Sequence, residues 1–137
     1  MTGYLLDTNV LSDLVRNPAG PVVRRIAQAG EDRIATSVIV AAELRYGAAR
    51  KCSARLTERV EALLSEIAVL PFAPPADAAY ERIRTELEAA GTPIGSNDLL
   101  IAAQALSEDR VMVTANVRGF EWVPRLEVQD WVGDAKE

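Results

Sequence analysis

The sequence predicts an α/β domain with a central, mainly parallel sheet flanked by helices. Three observations lead there. Short apolar runs of strand length alternate with longer stretches of helical periodicity. The length, 137 residues, fits one compact domain spanning residues 1–137. Hydrophobic residues make up 49% of the chain but aromatics only 5%, so the core has to be built from Leu, Ile, Val and Ala.

The elements follow in order. Tyr4-Leu5-Leu6 reads as a buried strand that Asp7-Thr8-Asn9 ends in a turn or helix start. Val10 to Val15 forms a short helix that stops near Asn17-Pro18. Pro21 to Ala29 is helical, with Val22, Val23 and Ile26 on one face and Gly30 as its C-cap. Arg33 to Thr36 is a second strand, and Ser37 caps a helix from Val38 to about Ala49. A helix over Ala54–Ile67 leads to a third strand, Ala68-Val69-Leu70. The stretch Pro71-Phe72-Ala73-Pro74-Pro75 connects to a helix from Asp77 to Ala90, which Gly91-Thr92-Pro93 breaks. Asn97 to Leu106 is the last helix. Val111 to Thr114 is a strand, Ala115 to Phe120 a loop, and Leu126-Glu127-Val128 an edge strand; the tail from Gly133 frays. In such sheets ligands bind beyond the carboxyl ends of the strands, where Asp7 and Thr114–Asn116 lie.

Composition excludes several chemistries. The chain has no histidine, so there is no Ser-His-Asp or Cys-His nucleophile and no His-ligated zinc. Its lone cysteine, Cys52, cannot form an internal disulfide, which suits a reducing cytoplasm. The start of the chain shows no signal peptide, and no segment approaches a membrane span. A net charge of −5 argues mildly against nucleic acid, because phosphate contacts need Lys and Arg. An acidic cluster that binds metal reconciles the two.

Three carboxylates stand in apolar company. Asp7 directly follows the first strand. Glu43 shares a helix face with Ile39, Val40 and Gly47. Asp98 opens the run Leu99-Leu100-Ile101-Ala102-Ala103. Burying an ionised carboxylate costs several kcal/mol unless it is paired or binds a metal. Each acid also has a structural reading: Asp7 as a helix N-cap, Asp98 as a complement to a helix dipole worth about 0.3–1 kcal/mol. Glu43 is harder to explain that way, because Arg45 is two residues off and faces elsewhere. Three acids at the mouth of one sheet favour a hard cation with oxygen ligands, Mg2+ or Mn2+. Such a site supports hydrolysis of phosphate esters.

With these residues in view, the chain resembles the PIN-domain nucleases. The resemblance rests on Leu5-Leu6-Asp7-Thr8-Asn9, Ala42-Glu43-Leu44-Arg45-Tyr46-Gly47, Ile94-Gly95-Ser96-Asn97-Asp98-Leu99-Leu100-Ile101-Ala102 and Val113-Thr114-Ala115-Asn116-Val117-Arg118-Gly119-Phe120. It covers nearly the whole chain and is strongest with the VapC-type toxins of bacterial toxin–antitoxin pairs. It implies a compact α/β/α sandwich, RNA cleavage with Mg2+ or Mn2+, a homodimer, and a small antitoxin that holds the enzyme inactive. Asp7, Glu43 and Asp98 match the metal-binding acids, and Thr114 matches a hydroxyl that orients them. Asn116 stands where many relatives have a fourth acid. It brings no charge and cannot act as a base, which puts a tightly held second metal in doubt; as a turn residue it would tolerate φ > 0. Asn9 and Asn97 neighbour matched acids and serve either as supporting groups or as caps.

For RNA, Arg45 and Arg118 lie two residues from Glu43 and Asn116, and Arg50, Lys51 and Arg55 crowd one helix end. Arg24 and Arg25 are further candidates. The alternative for the helix-end cations is complementing the dipole. Leu56, Val60, Leu63, Leu64 and Ile67 form an apolar helix face, either core or a groove for an antitoxin helix. Trp122 and Trp131 are expected to pack the sheet edge, and Cys52 is read as an incidental thiol. Response-regulator receivers fit badly because Asp7 stands alone and no Lys follows the strand Val111–Thr114. Haloacid-dehalogenase-type phosphatases need an acid at the position of Asn9. The remaining alternative is a PIN-like domain that binds RNA or a partner with weak or no catalysis.

Overall fold

The computed structural model describes residues 2–133. Its five strands are β1 (Gly3–Leu6), β2 (Ile34–Ser37), β3 (Ala68–Leu70), β4 (Arg110–Val113) and β5 (Val128–Gln129). Six helices flank them: α1 (Thr8–Arg16), α2 (Pro21–Ala29), α3 (Val38–Arg50), α4 (Ala54–Glu66), α5 (Ala76–Ala89) and α6 (Ser96–Ser107). All four strand pairings are parallel, in the order β3-β2-β1-β4-β5. The α/β expectation therefore holds, with a sheet that is parallel throughout.

The chain enters at the centre of the sheet and builds outward through β2 and β3. It then returns to the other side of β1 for β4 and β5. The order reverses between β1 and β4, and a crevice opens at such a switch point. Registers of Leu6 with Thr36 and of Leu6 with Val113 put the ends of β1, β2 and β4 level at that crevice.

A parallel sheet is covered on both faces, so its inner strands need apolar residues at successive positions. Leu5, Leu6, Met112 and Val113 are fully buried accordingly. The core is aliphatic, with Phe120 and Trp131 as its buried aromatics among the described residues. Helix α6 is apolar nearly all round over Leu99–Ala105 and is buried nearly all round to match. Its one interior amide, Gln104, donates to the carbonyls of Leu70 and Pro71 at 3.0 Å each. Those bonds tie α6 to the end of β3.

Several boundaries differ from the sequence reading. α1 begins at Thr8 because Asp7 caps it, and α6 begins at Ser96, one turn ahead of its apolar run. The edge strand β5 is only Val128–Gln129, since Leu126 and Glu127 precede the pairing. Trp131 packs on Tyr4 at 5.1 Å and is 1% exposed, whereas Trp122 is 58% exposed and does not pack the sheet edge. The C-terminal tail beyond Gly133 lies outside the described residues. No helix among those described is long and apolar enough to cross a membrane.

Candidate active site

Asp7 sits at the end of β1, its N–H bonded to the carbonyl of Val113 at 2.8 Å. The N-cap reading of its carboxylate is realised. One oxygen caps α1 by accepting from the Thr8 N–H at 2.8 Å. The other accepts from the Thr114 hydroxyl at 2.9 Å. The side chain is 4% exposed. Burial pushes its pKa up, against the pull of the hydrogen bonds from Thr8 and Thr114, and the charge of Glu43 adds to the rise.

Thr114, fully buried at the end of β4, is the hub of this side of the site. It donates to Asp7 and accepts from the Asn116 N–H at 3.0 Å and the Asn9 amide at 3.3 Å. The Asn9 carbonyl oxygen in turn accepts from the Ala115 N–H at 2.9 Å. Asn9 thus fixes the loop after β4 to the first turn of α1.

Glu43 is half-buried on α3. Its carboxylate accepts from the Thr8 hydroxyl at 2.5 Å and from the Asn97 amide at 3.1 Å. Asp98 lies in the first turn of α6, third in the helix, half-buried, with no hydrogen bond to its carboxylate among the described residues. Its pKa is raised to about 6, first by burial and then by the charges of Asp7 and Glu43. The structure therefore brings Asp7, Glu43, Asp98 and Thr114 to one mouth of the sheet. Among the described residues, no three carboxylate or thiol side chains stand close enough to hold one ion as they are placed. The donor set is nonetheless all oxygen and mutually repelling, which is chemistry that suits a hard divalent cation.

Asn116 also lies at this mouth, exposed, starting the 3-10 turn Val117–Gly119. Its φ is −99°, so it does not occupy the left-handed conformation that a turn asparagine would explain. Its side-chain amide lies against Gly119, where a Cβ would collide with it.

The basic residues divide. Arg118 is exposed on the same turn with no partner among the described residues. Lys51 lines a cleft that begins at Glu43. Arg45 points away and makes a two-point pair with Glu61 of α4, at 2.8 and 3.0 Å. Residues two apart on a helix face different ways. Arg50 lies over the ring of Tyr46 at 5.8 Å. Arg25 bonds Gln129 and lies over Trp131, pinning α2 to the C-terminal segment. Arg24 and Arg55 are exposed on α2 and α4, and so is the Cys52 thiol between α3 and α4. Thr8 is a site residue that sequence reasoning did not single out, although it grips Glu43. The available signal was its place directly after Asp7, at the end of the first strand.

Residues 4–126 match the PIN domain family. Ribonuclease VapC2 of Rickettsia felis is 35% identical over 130 residues, covering 93% of this chain and 97% of that protein. The tRNA(fMet)-specific endonuclease VapC of Salmonella typhimurium is 34% identical over 132 residues, covering 96% of this chain and 99% of that protein. Among solved structures, VapBC2 from Rickettsia felis bound to a DNA fragment from their promoter superposes with a TM-score of 0.87 at 32% identity. That match covers 93% of this chain and 98% of the other.

Proposed function

This chain belongs to the PIN-domain family and, within it, to the VapC ribonucleases, and from that premise we propose that it is an endoribonuclease that hydrolyses RNA phosphodiesters as the toxin of a toxin–antitoxin pair, using Mg2+ or Mn2+ held by Asp7, Glu43 and Asp98. The observation that carries the reading is the gathering of these three acids at one mouth of the sheet, with Asp7 and Glu43 oriented by hydrogen bonds from Thr114, Thr8 and Asn97. Burial, and after it the charges of Asp7 and Glu43, raise Asp98 to about 6. Gathering like charges costs folding energy, and active sites are where such arrangements concentrate.

A bound divalent ion supplies polarisation of the phosphate and a water of lowered pKa. The chain's own groups prepare its ligands. Thr8 and Asn97 each donate to one oxygen of the Glu43 carboxylate, and Thr114 and the α1 N-terminus orient Asp7. Such supporting bonds set the direction and basicity of ligating oxygens. Asp98, which no donor among the described residues holds, is the carboxylate able to take up or release a proton near pH 6. Asn116 accepts or donates a hydrogen bond at the mouth but adds no charge.

A groove of about 780 Å3 between α1, α2 and α4 supports the antitoxin partner. Leu14, Val23, Ile26, Leu63 and Ile67 line it, and an amphipathic helix seats its apolar face in such a surface. The α4 face thus divides: Val60 and Leu64 are core, while Leu63 and Ile67 line the groove. An RNA substrate and the lone Cys52 suit a cytoplasmic setting. Transfer RNA is the first substrate to try, because the Salmonella relative is named for it. The test is cleavage of labelled RNA by the partner-free chain, with and without Mg2+ or Mn2+, beside Asp98→Asn. Discrete, metal-dependent cuts that the variant loses support the reading. A folded chain that cuts nothing with either metal overturns it in favour of a binding domain.

A further inference from the structure

Glu43 stands at one end of a second cleft, of about 220 Å3, between α1 and α3, with Leu56 and Val60 of α4 closing its apolar base. Its walls are regular. Thr8, Ser12 and Arg16 line it from α1, and Glu43, Gly47 and Lys51 from α3. Each set is spaced by four residues, so each falls on one helix face. The first pair is joined by the Thr8–Glu43 hydrogen bond. The second pair is small: a Cβ added to Gly47 would meet no atom within 4 Å, so the floor there is open. The last residue of each row is a cation. Arg16 and Lys51 are exposed and have no ion pair or hydrogen bond to a side chain among the described residues. Eight residues of helix put each about 12 Å along its axis from the Thr8–Glu43 pair.

We propose that this cleft is the track of the RNA strand beside the reaction centre, with Arg16 and Lys51 taking phosphates beyond the scissile linkage. The inference rests on the nuclease reading above and adds where the substrate runs. A polyanion entering a site of three acids in a chain of net charge −5 needs compensating cations close by, because phosphate affinity comes from Lys and Arg contacts. The cleft begins at Glu43, where the scissile phosphate must sit, and the cations that line it are at the far end. The small middle pair leaves room for a sugar-phosphate backbone. A protein helix has the larger apolar groove on the other flank of α1.

The test uses the full chain, freed of any partner and without added metal, titrated into a fluorescent single-stranded RNA of about a dozen nucleotides. Binding is followed by anisotropy as a function of salt. The double variant Arg16→Gln/Lys51→Gln is expected to bind about tenfold or more weakly, with the slope of log affinity on log salt reduced by about 0.7 to 1.4. Gly47→Leu fills the floor without touching either cation and is expected to weaken the same RNA. Circular dichroism confirms that both variants are folded. Unchanged affinity in both overturns the proposal, leaving the cations to their helix ends. It is overturned equally if the double variant loses affinity for an acidic antitoxin peptide but not for RNA. The two readings separate cleanly: RNA that binds through the cleft but is never cut under any metal refutes the nuclease alone, whereas normal cutting and binding by the double variant refutes the cleft alone.

Discussion

The Thr114 hydroxyl donates to the inner oxygen of Asp7 at 2.9 Å, joining the ends of β4 and β1 across the switch point of the sheet. Both residues are buried, so neither has water as a substitute partner. Thr114→Val keeps the shape and removes the hydroxyl. It leaves the Asp7 oxygen and the Asn116 N–H each short of a partner. Stability is expected to fall by about 1–3 kcal/mol in urea unfolding, and RNA cleavage by about 10–100-fold. Thr114→Ser, which retains the donor, is expected to recover most of the activity. Equal cleavage by the valine and serine variants would show that the hydroxyl does not orient Asp7.

Glu43 offers the parallel case with a different support. Its carboxylate accepts from the Thr8 hydroxyl and the Asn97 amide. Thr8→Val removes the first donor while leaving the Thr8 N–H that Asp7 caps. Metal affinity measured by calorimetry is expected to drop about 10–100-fold, with far-ultraviolet circular dichroism unchanged. An unaltered affinity would mean that Glu43 needs no orienting bond.

Much of this was legible in the sequence because it rests on local patterns. Strand-length apolar runs and helical periodicity gave the α/β order, and Asp7, Glu43 and Asp98 stood out as acids among aliphatic neighbours. Sequence could not show that Arg45 turns to Glu61, since that partner lies on another helix. Nor could it separate Trp122 from Trp131, whose burial depends on Tyr4 and Arg25. The role of Thr8 was hidden for the same reason: its hydroxyl matters through Glu43, and only the packing of α1 on α3 joins them. The missed features are the tertiary ones.

The split among the basic residues has a measurable consequence. Arg118 is open at the mouth of the site, while Arg45 is occupied by two bonds to Glu61. Arg118→Gln is expected to reduce the salt slope of single-stranded RNA binding by about 0.7, the value of one phosphate contact. Arg45→Gln is expected to change it less. A larger effect at Arg45 would mean that the Glu61 pair opens when RNA binds.

Gly47 lies inside α3, where an added methyl group would meet nothing within 4 Å, and no positive φ demands a glycine there. Gly47→Ala is therefore expected to raise stability by about 0.5–1 kcal/mol through reduced freedom of the unfolded chain. Urea denaturation reads it. A loss of stability would show that the helix is crowded at this face.

Asp98 ties protons, metal and stability together. Its pKa is 3.8 in the ordinary state and about 6 in the folded protein. Between these values the folded state holds a proton that the unfolded state has released, so the stability of the metal-free protein falls as pH rises through that window. The contribution is fully present below 3.8 and lost above about 6. Asp98→Asn removes the repelling charge. In metal-free buffer the variant is expected to melt above the parent when the pH exceeds about 6, with the difference closing as pH falls below 3.8. Divalent metal reverses the order. A ligand at a hundred times its Kd stabilises the folded state by about 2.7 kcal/mol, and protons compete for the same carboxylates. Mg2+ or Mn2+ is thus expected to raise the melting temperature of the parent more strongly above about pH 6 than below it, and to raise that of Asp98→Asn little at any pH. Melting curves for both proteins, with and without metal across this range, check all of these at once. A metal response of the parent that is flat with pH, or one that Asp98→Asn retains, would remove Asp98 from the set of groups that hold the ion.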